Sequence, residues 1–155
     1  MARKIFISHE SVAKREAVGF KELLVKASSD IEFFLTSDWY SLESGEPWFT
    51  PLVEQLRNCD ELFAIVTRPE GFRSLWMNFE IGAAFGSRKL PKIFVFGGVS
   101  WERIPHPIAG LQLIDTGDSN RWLQDLKSLG IERVTDYKSQ FDELFRQTLG
   151  PRSAQ

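Results

Sequence analysis

Five short apolar runs, separated by segments of helical periodicity, constrain the fold of this chain more than any other feature. The runs are rich in Ile, Val, Leu and Phe and cover residues 4–8, 31–36, 62–67, 92–96 and 111–115. They are almost continuously apolar and lack the alternation of a strand with one solvated face. They therefore predict strands that are covered on both faces, as in a parallel sheet.

The segments between the runs carry apolar residues at intervals of three and four positions, which indicates helices. The first such stripe consists of Ala13, Ala17, Phe20, Leu24 and Ala27, and the others begin at residues 49, 75, 122 and 141. Parallel strands need crossover connections, and these are usually helices. The sequence therefore predicts an α/β fold, namely a flavodoxin-like open parallel five-stranded sheet with helices on both faces.

Composition narrows the class of protein further. The chain has 155 residues and a net charge of -2, which fits one domain over residues 1–150 with a flexible tail at 151–155 and argues against nucleic-acid binding. One cysteine and two histidines argue against a protein-ligated metal. No apolar run approaches the roughly 18 residues of a membrane span, and the first is shorter than a signal-peptide core. A cytoplasmic protein without membrane contact is expected.

Ligands of open parallel sheets collect beyond the carboxyl ends of the strands, where the strand order reverses. Ser8 and His9 end the first predicted strand and are expected at that edge.

Trp76 and Glu80 lie four positions apart in a predicted helix, so they share one face. An indole stacks on cationic aromatic rings, and a carboxylate can accept hydrogen bonds from the hydroxyls of the sugar that carries such a ring. This pair fits cleavage of a nicotinamide nucleotide. No Walker or Gly-x-Gly-x-x-Gly motif is present, so a dinucleotide is not expected to bind in the Rossmann manner.

Three segments in order resemble a Toll/interleukin-1 receptor (TIR) domain. Residues 5–11 read Ile-Phe-Ile-Ser-His-Glu-Ser, similar to the family's first strand. Residues 36–48 carry an aspartate, a glycine and a downstream tryptophan, similar to the loop after its second strand. Residues 74–84 resemble its Ser-x-Trp and Glu-x-Gly helix. The resemblance covers about residues 3–115 and is closest to bacterial stand-alone members, since the Arg-Asp-x-x-Pro-Gly loop of animal receptors is missing.

The resemblance implies an enzyme that cleaves NAD⁺ at the nicotinamide-ribose bond, with Glu80 in the catalytic position. NAD⁺ would be the substrate, and no bound cofactor is implied. The products would be nicotinamide and ADP-ribose or a cyclic isomer, and residues alone do not decide between them. Bacterial members act in antiphage defence, where the product signals to a separate effector protein. Members also self-associate through TIR contacts, with the loop at residues 36–48 of one copy completing the pocket of another.

Seven further residues are expected to contact the substrate. They are Phe6, Ser8, His9, Asp38, Trp48, Arg73 and Trp76. Each has a structural alternative: a histidine at a strand end caps a loop, an aspartate after a strand binds local backbone, tryptophans pack in cores, and an arginine at a helix start is solvated.

Two other functions fit the same residues. The chain is either a non-catalytic TIR adaptor that assembles through the loop at residues 36–48, or another flavodoxin-like enzyme such as a relative of the nucleoside deoxyribosyltransferases, which also use a carboxylate on a sugar. Profiling NAD⁺ against deoxynucleosides separates the enzymatic alternatives.

Overall fold

A five-stranded parallel sheet forms the centre of the protein, as the apolar runs predict. The computed structural model describes residues 2–35, 49–97, 104–105 and 110–147. All strand pairs are parallel, and the strand order is β2-β1-β3-β4-β5. The strands are β1 (Arg3–His9), β2 (Ile31–Leu35), β3 (Glu61–Val66), β4 (Lys92–Val95) and β5 (Gln112–Asp115). The predicted flavodoxin-like fold is confirmed.

Within the described ranges, five α-helices cover the two faces of the sheet. They are α1 (Lys14–Ala27), α2 (Phe49–Asn58), α3 (Leu75–Gly86), α4 (Ser119–Ser128) and α5 (Lys138–Gln147). Short 3₁₀ segments precede three of the helices, at Ser11–Ala13, Pro69–Arg73 and Val134–Tyr137. None of the described helices is both long and apolar enough to cross a bilayer.

Two apolar clusters lie on opposite sides of the sheet and explain the continuous apolar character of its strands. Along β1, Ile5 and Ile7 enter one cluster and Phe6 enters the other, because successive side chains of a strand point to opposite faces. The first cluster also holds Phe20, whose ring centroid lies 5.0 Å from that of Phe94. Burial of each such side chain contributes roughly 1.5–3 kcal/mol. Packing on both faces therefore stabilises the sheet and fixes which side chains reach each face.

The strand order places a crevice between β1 and β3. The chain passes from β1 outward to β2 and then returns across β1 to form β3, so the order reverses between these two neighbours. Ser8 pairs with Ala64 and His9 with Ile65 at the carboxyl ends of the two strands. This is the position at which open α/β sheets bind ligands.

Helix α3 begins at this crevice because a local hydrogen bond ends the preceding 3₁₀ segment. The Ser74 hydroxyl accepts the backbone N–H of Met77 at 3.2 Å, which satisfies one of the free donors at the helix start. The Asn78 side chain donates to the carbonyl of Phe72 at 2.8 Å and ties the first turn to that segment. Both contacts orient α3 so that its second turn faces the end of β1.

Candidate functional site

A buried carboxylate lies at the crevice. Glu80, in the second turn of α3, has no exposed surface, and neither has Ser8 at the end of β1. The Ser8 hydroxyl donates to the Glu80 carboxylate at 3.1 Å. Ser8 reaches α3 because it lies two positions after Phe6 and so points to the same face of the sheet. A buried carboxylate is costly unless hydrogen bonds compensate its lost hydration, and Ser8 supplies one of them.

A cavity of about 370 Å³ opens between the end of β1 and the start of α3. The described residues that line it are His9, Glu10, Ser11, Glu70, Arg73, Ser74 and Trp76. Trp76 lies one helical turn before Glu80, so the indole forms part of the wall while the carboxylate lies deeper. Glu80 is not among the described lining residues.

An ion pair joins the two loops that border the cavity. Arg68 donates to both carboxylate oxygens of Glu10, from Nε at 2.8 Å and from Nη2 at 3.1 Å. This hydrogen bonding raises the pKa of Arg68 although burial opposes it. Gly71 permits the close approach, since a Cβ there would lie 3.2 Å from Val66 and 3.3 Å from Glu10. The pair links the end of β1 to the segment that starts α3.

This ion pair was not predicted from the sequence, although the sequence carries a signal for it. Glu10 follows the first predicted strand and Arg68 follows the third, so opposite charges lie at the same edge of neighbouring strands. The two strands are neighbours only because β2 lies on the far side of β1.

The structure brings together five of the residues predicted for the site. Ser8 and Glu80 are in contact, and His9, Arg73 and Trp76 line the adjacent cavity. His9 is buried, and its Nδ1–H donates to the carbonyl of Glu10 at 2.7 Å. Arg73 is exposed at the rim. Their contacts with a substrate stay a prediction.

The other predicted site residues lie elsewhere. Phe6 is fully buried in the apolar cluster beneath α2 and α3 and is not among the described residues that line the cavity. Asp38, Trp48 and the loop at residues 36–48 lie outside the described residues, as does the tail at 151–155.

Two further titratable groups lie apart from the crevice. Cys59 is buried in the cluster with Phe6, as expected of a small packing residue, and burial raises the pKa of its thiol against the opposing charge of Lys89. Among the described residues, no three His, Cys, Asp or Glu side chains are grouped so that they could hold a metal ion.

The carboxyl of Asp142 is the second titratable group that lies apart from the crevice. It lines a smaller cavity of about 190 Å³ beside the ends of β4 and β5. It accepts hydrogen bonds from Ser119 and Lys138, each at 2.9 Å. Burial opposes ionisation of this carboxyl, but those two donors and the charges of Lys138 and Arg146 outweigh it and lower the pKa of Asp142.

The fold and the crevice define a flavodoxin-like α/β protein with a buried acid at its switch point. No protein-family model matches the chain, and no curated protein matches it in sequence. Among solved structures it is similar to a 2-deoxyribosyltransferase from the psychrotolerant bacterium Bacillus psychrosaccharolyticus. The two chains are 18% identical, with a TM-score of 0.60, and the match covers 84% of this chain and 98% of that one. At this identity the similarity shows the fold.

This comparison corrects the resemblance to TIR domains. A solved structure with a similar fold is a deoxyribosyltransferase, and no family model matches the chain. The physical reason is that the matching segments describe a strand end and a helix bearing a tryptophan and a glutamate, which are local features that do not by themselves define a family. The antiphage role and the effector protein were expected from that resemblance alone and have no other support.

Proposed function

We propose that this protein cleaves the N-glycosidic bond of a nucleoside or nucleotide, with Glu80 as the carboxylate that acts at the anomeric carbon of the sugar. The observation that carries the proposal is the fully buried Glu80, held by Ser8 beside a cavity at the switch point of the sheet. The similarity in fold to an enzyme named for deoxyribosyl transfer supports the same class of reaction.

The chemistry needs a negative group close to the sugar. When the bond between C1′ and the base nitrogen breaks, both electrons leave with the base, and the sugar acquires oxocarbenium character, as in glycoside hydrolysis. The Glu80 carboxylate offsets this charge or bonds to C1′ on the face opposite the base. Water, or a second base, then forms the new bond to C1′. The displaced base takes up a proton if it leaves as an anion.

The surroundings of Glu80 suit this reaction. A carboxylate that is shielded from water interacts more strongly with a developing cation than a solvated one. The Ser8 hydroxyl, which donates to Oε1 at 3.1 Å, holds this carboxylate in place at the end of β1.

The cavity supplies space for the remainder of the substrate. Its volume of about 370 Å³ lies in the range of small-molecule sites. Trp76 provides an aromatic wall on which a base stacks, and Arg73 provides positive charge at the rim for an anionic substituent. Because Glu80 has no exposed surface and is not among the described residues that line the cavity, binding must open a path between the cavity and the carboxylate.

NAD⁺ is the finer prediction within this class, because its nicotinamide-ribose linkage is an N-glycosidic bond. Its nicotinamide leaves as a neutral ring and needs no proton. A purine or pyrimidine base needs a proton when it leaves. His9, which lines the cavity, is the residue proposed to supply that proton. The identity of the base therefore decides whether an acid is required.

The test is a substrate panel with detection of free base by liquid chromatography and mass spectrometry. Concentrated protein is incubated with deoxynucleosides, ribonucleosides, their 5′-monophosphates and NAD⁺, each with and without a second free base as acceptor. Release of base by the wild type, and its loss in Glu80→Gln but not in Glu22→Gln, which changes an exposed glutamate of α1, is the expected result. Release that survives Glu80→Gln, or no release from any compound, would contradict the proposal.

A further inference from the structure

Glu10 is an acid of the cavity wall that has no part in the chemistry at the anomeric carbon. It lines the cavity of about 370 Å³, and its side chain is 10% exposed. Arg68 donates to both of its carboxylate oxygens, at 2.8 and 3.1 Å, and so holds the carboxylate in one orientation. Each carboxylate oxygen can accept two hydrogen bonds. Because Arg68 uses one position on each oxygen, Glu10 can still accept a hydrogen bond from a ligand.

A carboxylate in this position selects for a hydrogen-bond donor. It has acceptors only, so it binds hydroxyl or amino groups, and its negative charge disfavours a phosphate. Arg73, which is exposed at the rim of the same cavity, has donors only and suits an anionic group. The cavity therefore has a polarity, with an acceptor just after β1 and donors at the rim.

The extended end of β1 separates Glu10 from the contact between Ser8 and Glu80 by about the width of a sugar ring. Ser8, whose hydroxyl donates to Glu80, lies two positions before Glu10. The backbone is extended between them, since β1 runs to His9 and Glu10 has a φ of -76° and a ψ of 158°. Two extended residues span roughly 6–7 Å. A furanose ring with its hydroxyl groups is of comparable size.

We propose that Glu10 accepts a hydrogen bond from the 3′-hydroxyl of the sugar whose anomeric carbon faces Glu80. This assignment rests on the proposed cleavage of an N-glycosidic bond. The 3′-hydroxyl lies across the furanose ring from C1′, and it is present in both ribose and 2-deoxyribose. Glu10 therefore selects substrates with a free 3′-hydroxyl and disfavours 3′-deoxy and 3′-phosphorylated sugars. It does not distinguish ribonucleosides from 2′-deoxynucleosides.

The carboxylate of Glu10 is held in place before any ligand binds. Gly71 leaves room for it, because a Cβ at that position would lie 3.3 Å from one of its oxygens, and the two bonds from Arg68 fix its direction. Glu70, the other acid of the cavity wall, is exposed. A group that is already ordered loses less conformational entropy on binding. Glu10 is therefore assigned to the sugar, and Glu70 is not.

Isothermal titration calorimetry of the Glu80→Gln variant tests this contact in the absence of turnover. The ligands are adenosine, uridine and nicotinamide mononucleotide, each beside its 3′-deoxy analogue, so that three classes of base are covered. Because a hydrogen bond to a charged group is lost, each 3′-deoxy analogue should bind about tenfold to a hundredfold more weakly than its parent. Adding Glu10→Gln should lower this ratio by about fivefold or more, since the amide oxygen is a neutral acceptor.

Two control variants separate recognition of the sugar from stabilisation of the loops. Glu22→Gln, at an exposed glutamate of α1, should leave the ratio unchanged. Arg68→Lys should weaken binding of both members of each pair and retain most of the ratio, because the Glu10 carboxylate is still present. Equal affinity within every pair, a ratio that Glu10→Gln does not lower, or no binding of any ligand would overturn the proposal. The expected ratio without release of base by the wild type would support this contact and contradict the proposed reaction.

Discussion

The contact between Ser8 and Glu80 makes a quantitative prediction about stability and rate together. Ser8→Ala removes the hydroxyl that donates to the buried carboxylate at 3.1 Å and leaves the shape of the strand nearly unchanged. A hydrogen bond to a charged group contributes about 1.5–3 kcal/mol, while one between neutral groups contributes about 0.5–1.5 kcal/mol. In the wild type, Ser8→Ala is therefore expected to lower the free energy of unfolding by about 2 kcal/mol.

The same substitution should cost less when the carboxylate is already an amide. In a Glu80→Gln background the Ser8 hydroxyl still has an oxygen acceptor, but the bond is neutral, so Ser8→Ala should cost about 1 kcal/mol. The coupling free energy of the double-mutant cycle is then about 1 kcal/mol, above the ~0.3–0.5 kcal/mol within which independent sites add. Urea unfolding of the four proteins measures it.

Kinetics on the substrate found in the panel give the second half of this test. Loss of Ser8 misplaces the carboxylate, so kcat should fall by about tenfold or more with a small change in KM, and Ser8→Thr should restore part of the rate. Ser128→Ala, which removes an exposed hydroxyl at the end of α4, away from the crevice, is the control and should change neither quantity. Equal costs of Ser8→Ala in both backgrounds, with kcat unaffected, would refute the role assigned to this contact.

Three further predictions concern other groups. Glu80→Gln should lower kcat by about 10² to 10³ while Tm stays level or rises, because a buried charge is removed; a Tm loss as large as that of a core truncation would contradict this. Arg68→Lys should lose the two-point contact with Glu10 and destabilise by at most about 1 kcal/mol, since the pair is partly exposed, while KM rises; an unchanged KM would separate the pair from the cavity. The lowered pKa of Asp142 means that its ionised form stabilises the fold above the unfolded pKa of about 3.9, and that this contribution is lost as the pH falls below it. Asp142→Asn should therefore flatten the decrease in stability between neutral pH and about pH 3, and a profile parallel to the wild type would contradict the assignment.

The fold was predictable because its main signal is local. Continuous apolar runs such as residues 62–67 occur where helices cover both faces of a strand, and the stripe from Ala13 to Ala27 marks a helix packed on the first cluster. Both patterns follow from the backbone geometry of one element, since side chains repeat about every two residues in a strand and every 3.6 residues in a helix. They do not depend on which strands become neighbours.

The site was predictable only in part because it depends on which elements become neighbours. Glu80 and Trp76 were found through their spacing on one helix, and Ser8 through its place at a strand end. The Glu10–Arg68 pair was missed because its partners are 58 residues apart and meet only when β3 lies beside β1. Phe6 was placed at the site although it lies two positions before Ser8 on the same face of β1, where the apolar cluster beneath α2 and α3 covers it completely.

The assignment to a family failed for a related reason. Short motifs at a strand end and on a helix describe local shape, and the flavodoxin-like sheet uses that shape in more than one class of protein. Residues 36–48, which carried one of the three matches, lie outside the described residues and give no independent check.

The most direct measurement is a crystal structure of the Glu80→Gln variant soaked with the substrate that the panel identifies. If Glu80 acts at the sugar, the side chain at this position should lie within about 3.5 Å of C1′, with the base stacked on Trp76 and the path past the indole open. A sugar bound at the rim near Arg73, a full helical turn or more from that side chain, would contradict the role proposed for Glu80.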